Sequence, residues 1–169
     1  WEELGAGTAG YGTLGHRRRS VLDLLAVERV KPIWNAAYPG DGAVDEVIDA
    51  ARKVLDGEQS AEWATQLQSR TWVALLDRMS ADQKFSAGDV GQAVCAALST
   101  AAHDKPYDDL PPDVDDYDLD SDAWDASFLA AMAAAGGEVG SPVASDERRR
   151  EFWEWYLREA VPSAWRSAG

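Results

Sequence analysis

Between Arg17 and Trp34 the chain reads RRRSVLDLLAVERVKPIW, with Val21, Leu22, Leu24, Leu25, Val27 and Val30 spread around most of a helical wheel. A helix that is apolar on several sides has to be enclosed by other elements, so this segment belongs at the centre of a helical bundle. Pro32 lies near its end, where it is expected to kink or terminate the helix. The following segments keep the helical spacing. AVDEVIDAARKVLDG puts Val44, Val47, Ile48, Ala51 and Leu55 on one face and offers Gly57 as a C-terminal cap. From Glu58 to Ser80, Trp63 aligns with Leu67, and Trp72 aligns with Leu75, Leu76 and Met79. The small residues of GQAVCAALSTAA, in a helix expected over about 87–102, permit close approach of backbones. Ser121 is expected to cap DAWDASFLAAMAAAGG, and Ser145 a final helix whose first turn carries Asp146 and Glu147. No segment alternates apolar β-branched residues as a strand would. These patterns predict an all-α fold, a single-domain bundle of about six helices over residues 1–169, with one long acidic loop at 104–121.

The first sixteen residues are expected to be a flexible lead-in, since Gly5–His16 holds five Gly. Gly5, Gly7 and Gly10 fit a GxGxxG spacing, but no strand precedes them and no βαβ unit follows, so a nucleotide site is not inferred. Thirty Asp and Glu against 16 Lys and Arg give a net charge of −14. That excess disfavours nucleic acid or an anionic membrane as partner and favours a basic protein or a cation. Cys95 is the one cysteine, so no internal disulfide ties the chain to an oxidising compartment, and no stretch approaches the length of a membrane span. A cytoplasmic location is the expectation.

The acid is concentrated in HDKPYDDLPPDVDDYDLDSDAWD, residues 103–125, which carries ten Asp against one Lys and three Pro. Asp116, Asp118, Asp120 and Asp122 alternate like the ligands of an EF-hand loop, but its sixth position is Ser121 and its twelfth is Ser127, so the bidentate Glu is missing. A solvated acidic loop with no partner is the plain alternative. The sharper expectation is an electrostatic docking surface for a basic protein. Tyr107, Asp108, Asp109, Asp113, Asp115, Asp116, Tyr117, Asp118, Asp120 and Asp122 would form it, with the two Tyr supplying contact area.

Parts for catalysis are not assembled in the sequence. His16 and His103 are far apart, HExxH, CxxC and GxSxG are absent, and Cys95 falls within an Ala-rich apolar helix where a thiol is buried and inert. The chain is therefore expected not to be an enzyme and to need no metal or cofactor.

Near the C-terminus, RRREFWEWYLREAVPSAW concentrates three Trp, a Phe and a Tyr. On an ideal wheel Glu147, Arg150, Glu151, Glu154 and Arg158 form a wet stripe, with i,i+4 pairs Arg150–Glu154 and Glu154–Arg158. The opposite arc holds Phe152, Trp153, Trp155, Tyr156, Leu157 and Ala160, and Pro162 is expected to stop the helix. Core packing between several neighbours is favoured over a ligand cage. Glu159 falls inside this arc, which calls for a partner: Arg29, Arg52, Arg70 or a Trp indole N–H.

FWEWYLREAVPSAW resembles the C-terminal signature of an all-helical immunity protein family, family five, from bacterial polymorphic toxin systems. RVKPIWNAAYPGDG, Arg29 to Gly42, is similar to that family's Pro-x-Trp and Tyr-Pro-x-Asp region. Together the two motifs frame almost the whole chain. The resemblance implies a cytoplasmic inhibitor that binds and neutralises a cognate toxin domain without catalysis. It marks Pro32, Trp34, Phe152, Trp153, Trp155, Tyr156, Glu159 and Pro162 as structural motif residues, leaving the Asp-rich loop as the specificity element. The alternative function is an acidic helical domain that binds calcium or a small ligand. Calcium separates the two: a specific site raises the melting midpoint by mass action, and the expected outcome is an unchanged midpoint.

Overall fold

In the computed structural model the residues described are 12–82, 84–103, 125–137 and 140–167. They form an all-α bundle with no strand among them, and its six helical rods run in chain order. These are α1 (Leu14–Ala37), α2 (Ala43–Leu55), α3 (Ala61–Asp82), α4 (Phe85–His103), α5 (Ala126–Ala135) and a last rod in three parts. That rod comprises α6 (Asp146–Trp155), a π-helical segment Tyr156–Ala160, and α7 (Val161–Ser167). None of the described helices is long and apolar enough to cross a membrane.

The centre of the bundle is shared. The expected central helix, α1, packs against α2, α4, α5 and the last rod, and α4 packs against α1, α2, α3 and α5. Thirteen of the 19 residues of α4 are buried, most of them Ala, Gly, Val or Ser. Small side chains are what let four neighbours reach one axis. A Cβ on Gly91 would stand 2.9 Å from Leu75 Cδ2 of α3, so the absent side chain sets that spacing.

The caps explain where the helices start. Thr13 Oγ1 accepts from His16 N at 3.2 Å and opens α1, so the lead-in expected to reach residue 16 ends before Leu14. Ser60 Oγ accepts from Trp63 N, and α3 accordingly begins at Ala61 rather than Glu58. Asp125, not Ser121, caps α5: its Oδ1 accepts from Phe128 N and from the Ser127 hydroxyl, both at 2.7 Å. Asp and Ser cap equally well, so the acid one residue before the helix takes the role, while Ser121 lies outside the described residues. Ser145 caps α6 as expected, and Gly136 closes α5 at φ +87°, where a side chain would be strained.

Two prolines do not end their helices. Pro32 is exposed within α1, which continues to Ala37. An interior Pro costs about 3 kcal/mol. Burying a Trp of about 150–250 Å² returns roughly 4–6 kcal/mol. The next turn carries Trp34 into the core at 1% exposure, so burial wins. Pro162 is likewise inside the last rod. There the turn before it widens: Val161 N bonds Tyr156 O, five residues back. A π turn makes room for a ring that would otherwise strike the carbonyl of residue 158.

Cys95 is buried in α4, and burial pushes its thiol up to about 12 from 9.0. The folded state holds this proton above the pH at which the unfolded chain releases it, so stability is full below about pH 9 and falls as pH rises toward 12. Between pH about 9 and about 11 the Cys95 contribution should fall by roughly 1.4 kcal/mol per pH unit. Cys95→Ala should flatten the curve of unfolding free energy against pH by that slope. Equal slopes in both proteins would contradict a protonated buried thiol.

Candidate functional site

All ten residues expected to contact a partner, Tyr107 to Asp122, lie outside the described residues. The structure describes the frame from which their segment departs and to which it returns: the end of α4 and the start of α5. His16 reaches this frame from the first turn of α1. Its Nε2 donates to Thr100 O at 2.8 Å and its Nδ1 accepts from Gly12 N at 3.1 Å, so its partners assign the Nε2–H tautomer. His103 Nε2 donates to Thr65 Oγ1 at 2.7 Å, and that hydroxyl donates in turn to Ala61 O, fastening the end of α4 to the start of α3. Far from lying in a loose lead-in, His16 is 3% exposed.

His16 belongs to a buried polar stripe on α1 with Arg19, Ser20 and Asp23. Their i, i+3, i+4, i+7 spacing is that of one helical face, a signal present in the sequence but masked by the apolar residues between them. Tyr156 enters the same polar region from the π segment. Its phenol is buried and pushed well above the usual tyrosine range, chiefly by desolvation and then by the negative charge of Asp23; a hydrogen bond with the Ser127 hydroxyl acts in the opposite direction, and the charge of Asp125 adds a smaller upward push. The end of α4 and the start of α5 thus border a polar core inside an apolar bundle.

The motif residues divide into two structural devices. At the end of α1, Trp34 and Tyr38 pack with ring centroids 4.6 Å apart. Arg78 of α3 lies over both rings, and Lys84 Nζ stands 4.5 Å from the Tyr38 centroid while donating to Ala37 O at 2.7 Å. Asp41 completes this clasp: one carboxylate oxygen pairs with Arg78 and the other accepts from Ala43 N at 2.8 Å, starting α2. The Tyr-Pro-Gly-Asp turn therefore joins α1, α2, α3 and the loop before α4.

The second device is the last rod. Phe152, Tyr156, Ala160 and Ala164 are buried, and Trp153 and Trp155 are half-buried. Phe152 packs against Trp153, Trp155 and Tyr156, and Arg29 of α1 lies over Trp155 at 5.1 Å. The strict four-residue spacing of the buried positions would drift by about 40° per step on a regular α-helix. The π segment absorbs that drift. It rotates Ala160 into the place an ideal wheel assigns to Glu159, and both Glu159 and Leu157 face solvent. The expected buried pairing of Glu159 is therefore wrong: Arg29 stacks on Trp155, and Arg52 pairs with Glu28 and Asp49. On the wet stripe, Arg158 pairs with Glu154 at 3.8 Å.

A groove of about 400 Å³ opens between α1, α2 and α7. Val21, Leu24, Leu25 and Leu55 form its apolar floor. Arg17 spans one end, donating to Leu55 O at 3.0 Å and to Asp56 at 3.1 Å, and the Arg52–Glu28 pair stands at the other. A smaller hollow of about 210 Å³, lined by Gly12, His16 and Val54, shares Arg17 and Leu55 with it. Among the described residues, no group of three His, Cys, Asp or Glu side chains could hold a metal ion.

Residues 3–163 match the family model of Immunity protein Imm5. The chain belongs to the Imm5 immunity protein family. The match spans the clasp, the polar stripe, the groove-forming α1 and α2 and the π segment, and membership carries a toxin-immunity role of a generally non-catalytic kind. No curated protein matches the chain. Within this Imm5 chain, Trp34, Tyr38 and Asp41 and the aromatic residues of the last rod hold helices together.

Substitutions separate the two acids that the motifs carry. Asp41→Ala loses an ion pair and the first hydrogen bond of α2 and should cost about 1–2 kcal/mol. Glu159→Gln, at an exposed site, should change stability by less than about 0.5 kcal/mol from neutral to acid pH. Denaturant unfolding checks both, and a large loss in Glu159→Gln would restore a buried partner for that acid.

Proposed function

We propose that the protein binds a cognate toxin domain and neutralises it by steric occlusion, without catalysis, acting in the cytoplasm with the Asp-rich segment as its docking surface. The observation that carries this is the Imm5 match across residues 3–163, because family membership brings the toxin-immunity role. Charge supports the choice of surface. Residues 104–124 hold nine Asp and one Lys, more than half of the net charge of −14. A partner drawn to that segment presents a basic face, as a domain that acts on nucleic acid does to its polyanionic substrate. Complementary charge of this kind accelerates encounter and sets orientation more than it lengthens the life of the complex.

Co-expression tests the role directly. The protein should restore growth to cells producing the toxin domain encoded beside its gene. Changing Asp108, Asp109, Asp113, Asp115, Asp116, Asp118, Asp120 and Asp122 to Asn should slow association by about 10-fold or more at low salt and flatten its salt dependence. Failure to protect would contradict the immunity role. Protection with salt-insensitive association would leave immunity standing and move the docking surface elsewhere.

A further inference from the structure

We propose that the outer edge of the last rod pairs, antiparallel, with the same edge of a second copy of this chain. Phe152, Tyr156, Ala160 and Ala164 form the buried line of the rod. One residue further along, and so about 100° further round, a second line keeps the same spacing: Trp153, Leu157, Val161 and Trp165. Every residue of it is apolar. Trp153 and Val161 are half-buried against the core, whereas Leu157 is 66% and Trp165 42% exposed. The rod packs against α1 and α5, and this edge is left to solvent. Arg18 of α1 lies over the Trp165 ring at 3.6 Å and holds the indole as a fixed projection at one end of the line. Scattered apolar side chains on a surface are ordinary, but an aligned row of them along one rod marks a contact surface.

Charge selects the occupant. The next line outward carries Glu154, Arg158 and Arg166, all exposed. Arg158 holds Glu154 only at 3.8 Å, and Arg166 donates to Ser163 Oγ at 3.2 Å with no carboxylate partner among the described residues. On a chain of net charge −14, an arginine beside an apolar edge and without its own acid asks for one from whatever covers that edge. A two-fold axis near residue 159 supplies it. Antiparallel pairing sets Trp153 of one copy against Trp165 of the other and Leu157 against Val161, and each Glu154 then stands opposite an Arg166. Parallel pairing would set Glu154 against Glu154 and Arg166 against Arg166. A polybasic partner would meet Arg158 and Arg166 at the same edge. The like net charge of two copies opposes the contact, but it is screened beyond about 8 Å at physiological salt. A surface of this size belongs to weak, exchanging dimers rather than obligate ones.

Sedimentation equilibrium of the whole chain is the test, run at about 0.5 M salt so that repulsion between copies acts only over a few ångströms. The parent should exchange between monomer and dimer with a Kd of roughly 10 μM to 1 mM. Leu157→Glu, at a side chain already 66% exposed, should melt like the parent and weaken the dimer about 10-fold or more. Glu154→Arg and Arg166→Glu should each weaken it several-fold, and the double reversal should restore it, because each charge then meets its opposite across the axis. A parent that stays monomeric up to about 1 mM overturns the inference. So does a dimer that Leu157→Glu leaves intact. Single reversals that weaken the dimer without rescue by the double reversal overturn the antiparallel pairing.

Discussion

The run of Ala, Gly, Val and Ser along α4 lets four helices pack against one axis, and the rest of the bundle takes its spacing from that approach. Where Gly91 faces Leu75, even one methyl group would crowd the neighbour. Larger side chains then close the periphery. Trp34 seals the end of α1 under Arg78 and Lys84, and Phe152 and Tyr156 seal the last rod against its neighbours. Such a core, built from many small contacts, is stiff because close packing leaves little room for rearrangement. A stiff base suits a protein whose acidic segment leaves from α4 and returns at α5.

Much of this was legible in the residues. Helical spacing placed α2 on Val44, Val47, Ile48 and Ala51, all buried, and the small-residue pattern marked α4. Turn chemistry located Gly57 and Gly136 as helix ends, both at positive φ. The structure departs from the sequence pattern where two physical rules compete. Pro32 and Pro162 read as breakers by local rule, whereas burial of Trp34 outweighs the first and a widened turn accommodates the second. The ideal wheel then misplaced Glu159 and Leu157, because a π segment changes the angle per residue and no propensity reveals it. The four-residue spacing of Phe152, Tyr156, Ala160 and Ala164 was the available clue.

The candidate site was less legible. His16, Arg19, Ser20 and Asp23 share a face of α1, yet nothing in the residues beside the Gly-rich start sets them apart as buried. Their burial shows only when α4, α5 and the π segment are in place, since polar groups enter a core where partners meet them. The groove likewise depends on three separate elements. The resemblance to an immunity protein family is borne out by the Imm5 match over residues 3–163, and Trp34, Tyr38 and Asp41 stand where α1, α2 and α3 meet. That division between scaffold and contact surface is the basis of the functional account: the aromatic rod and the clasp join helices, and the acidic segment is the proposed docking surface.

Hydrogen exchange across the whole chain, with and without the toxin domain encoded beside its gene, tests that division most directly. The account predicts new protection in residues 104–125, with exchange in Phe152–Ala160 unchanged. Protection concentrated on the aromatic rod, with the Asp-rich segment unaffected, would contradict it.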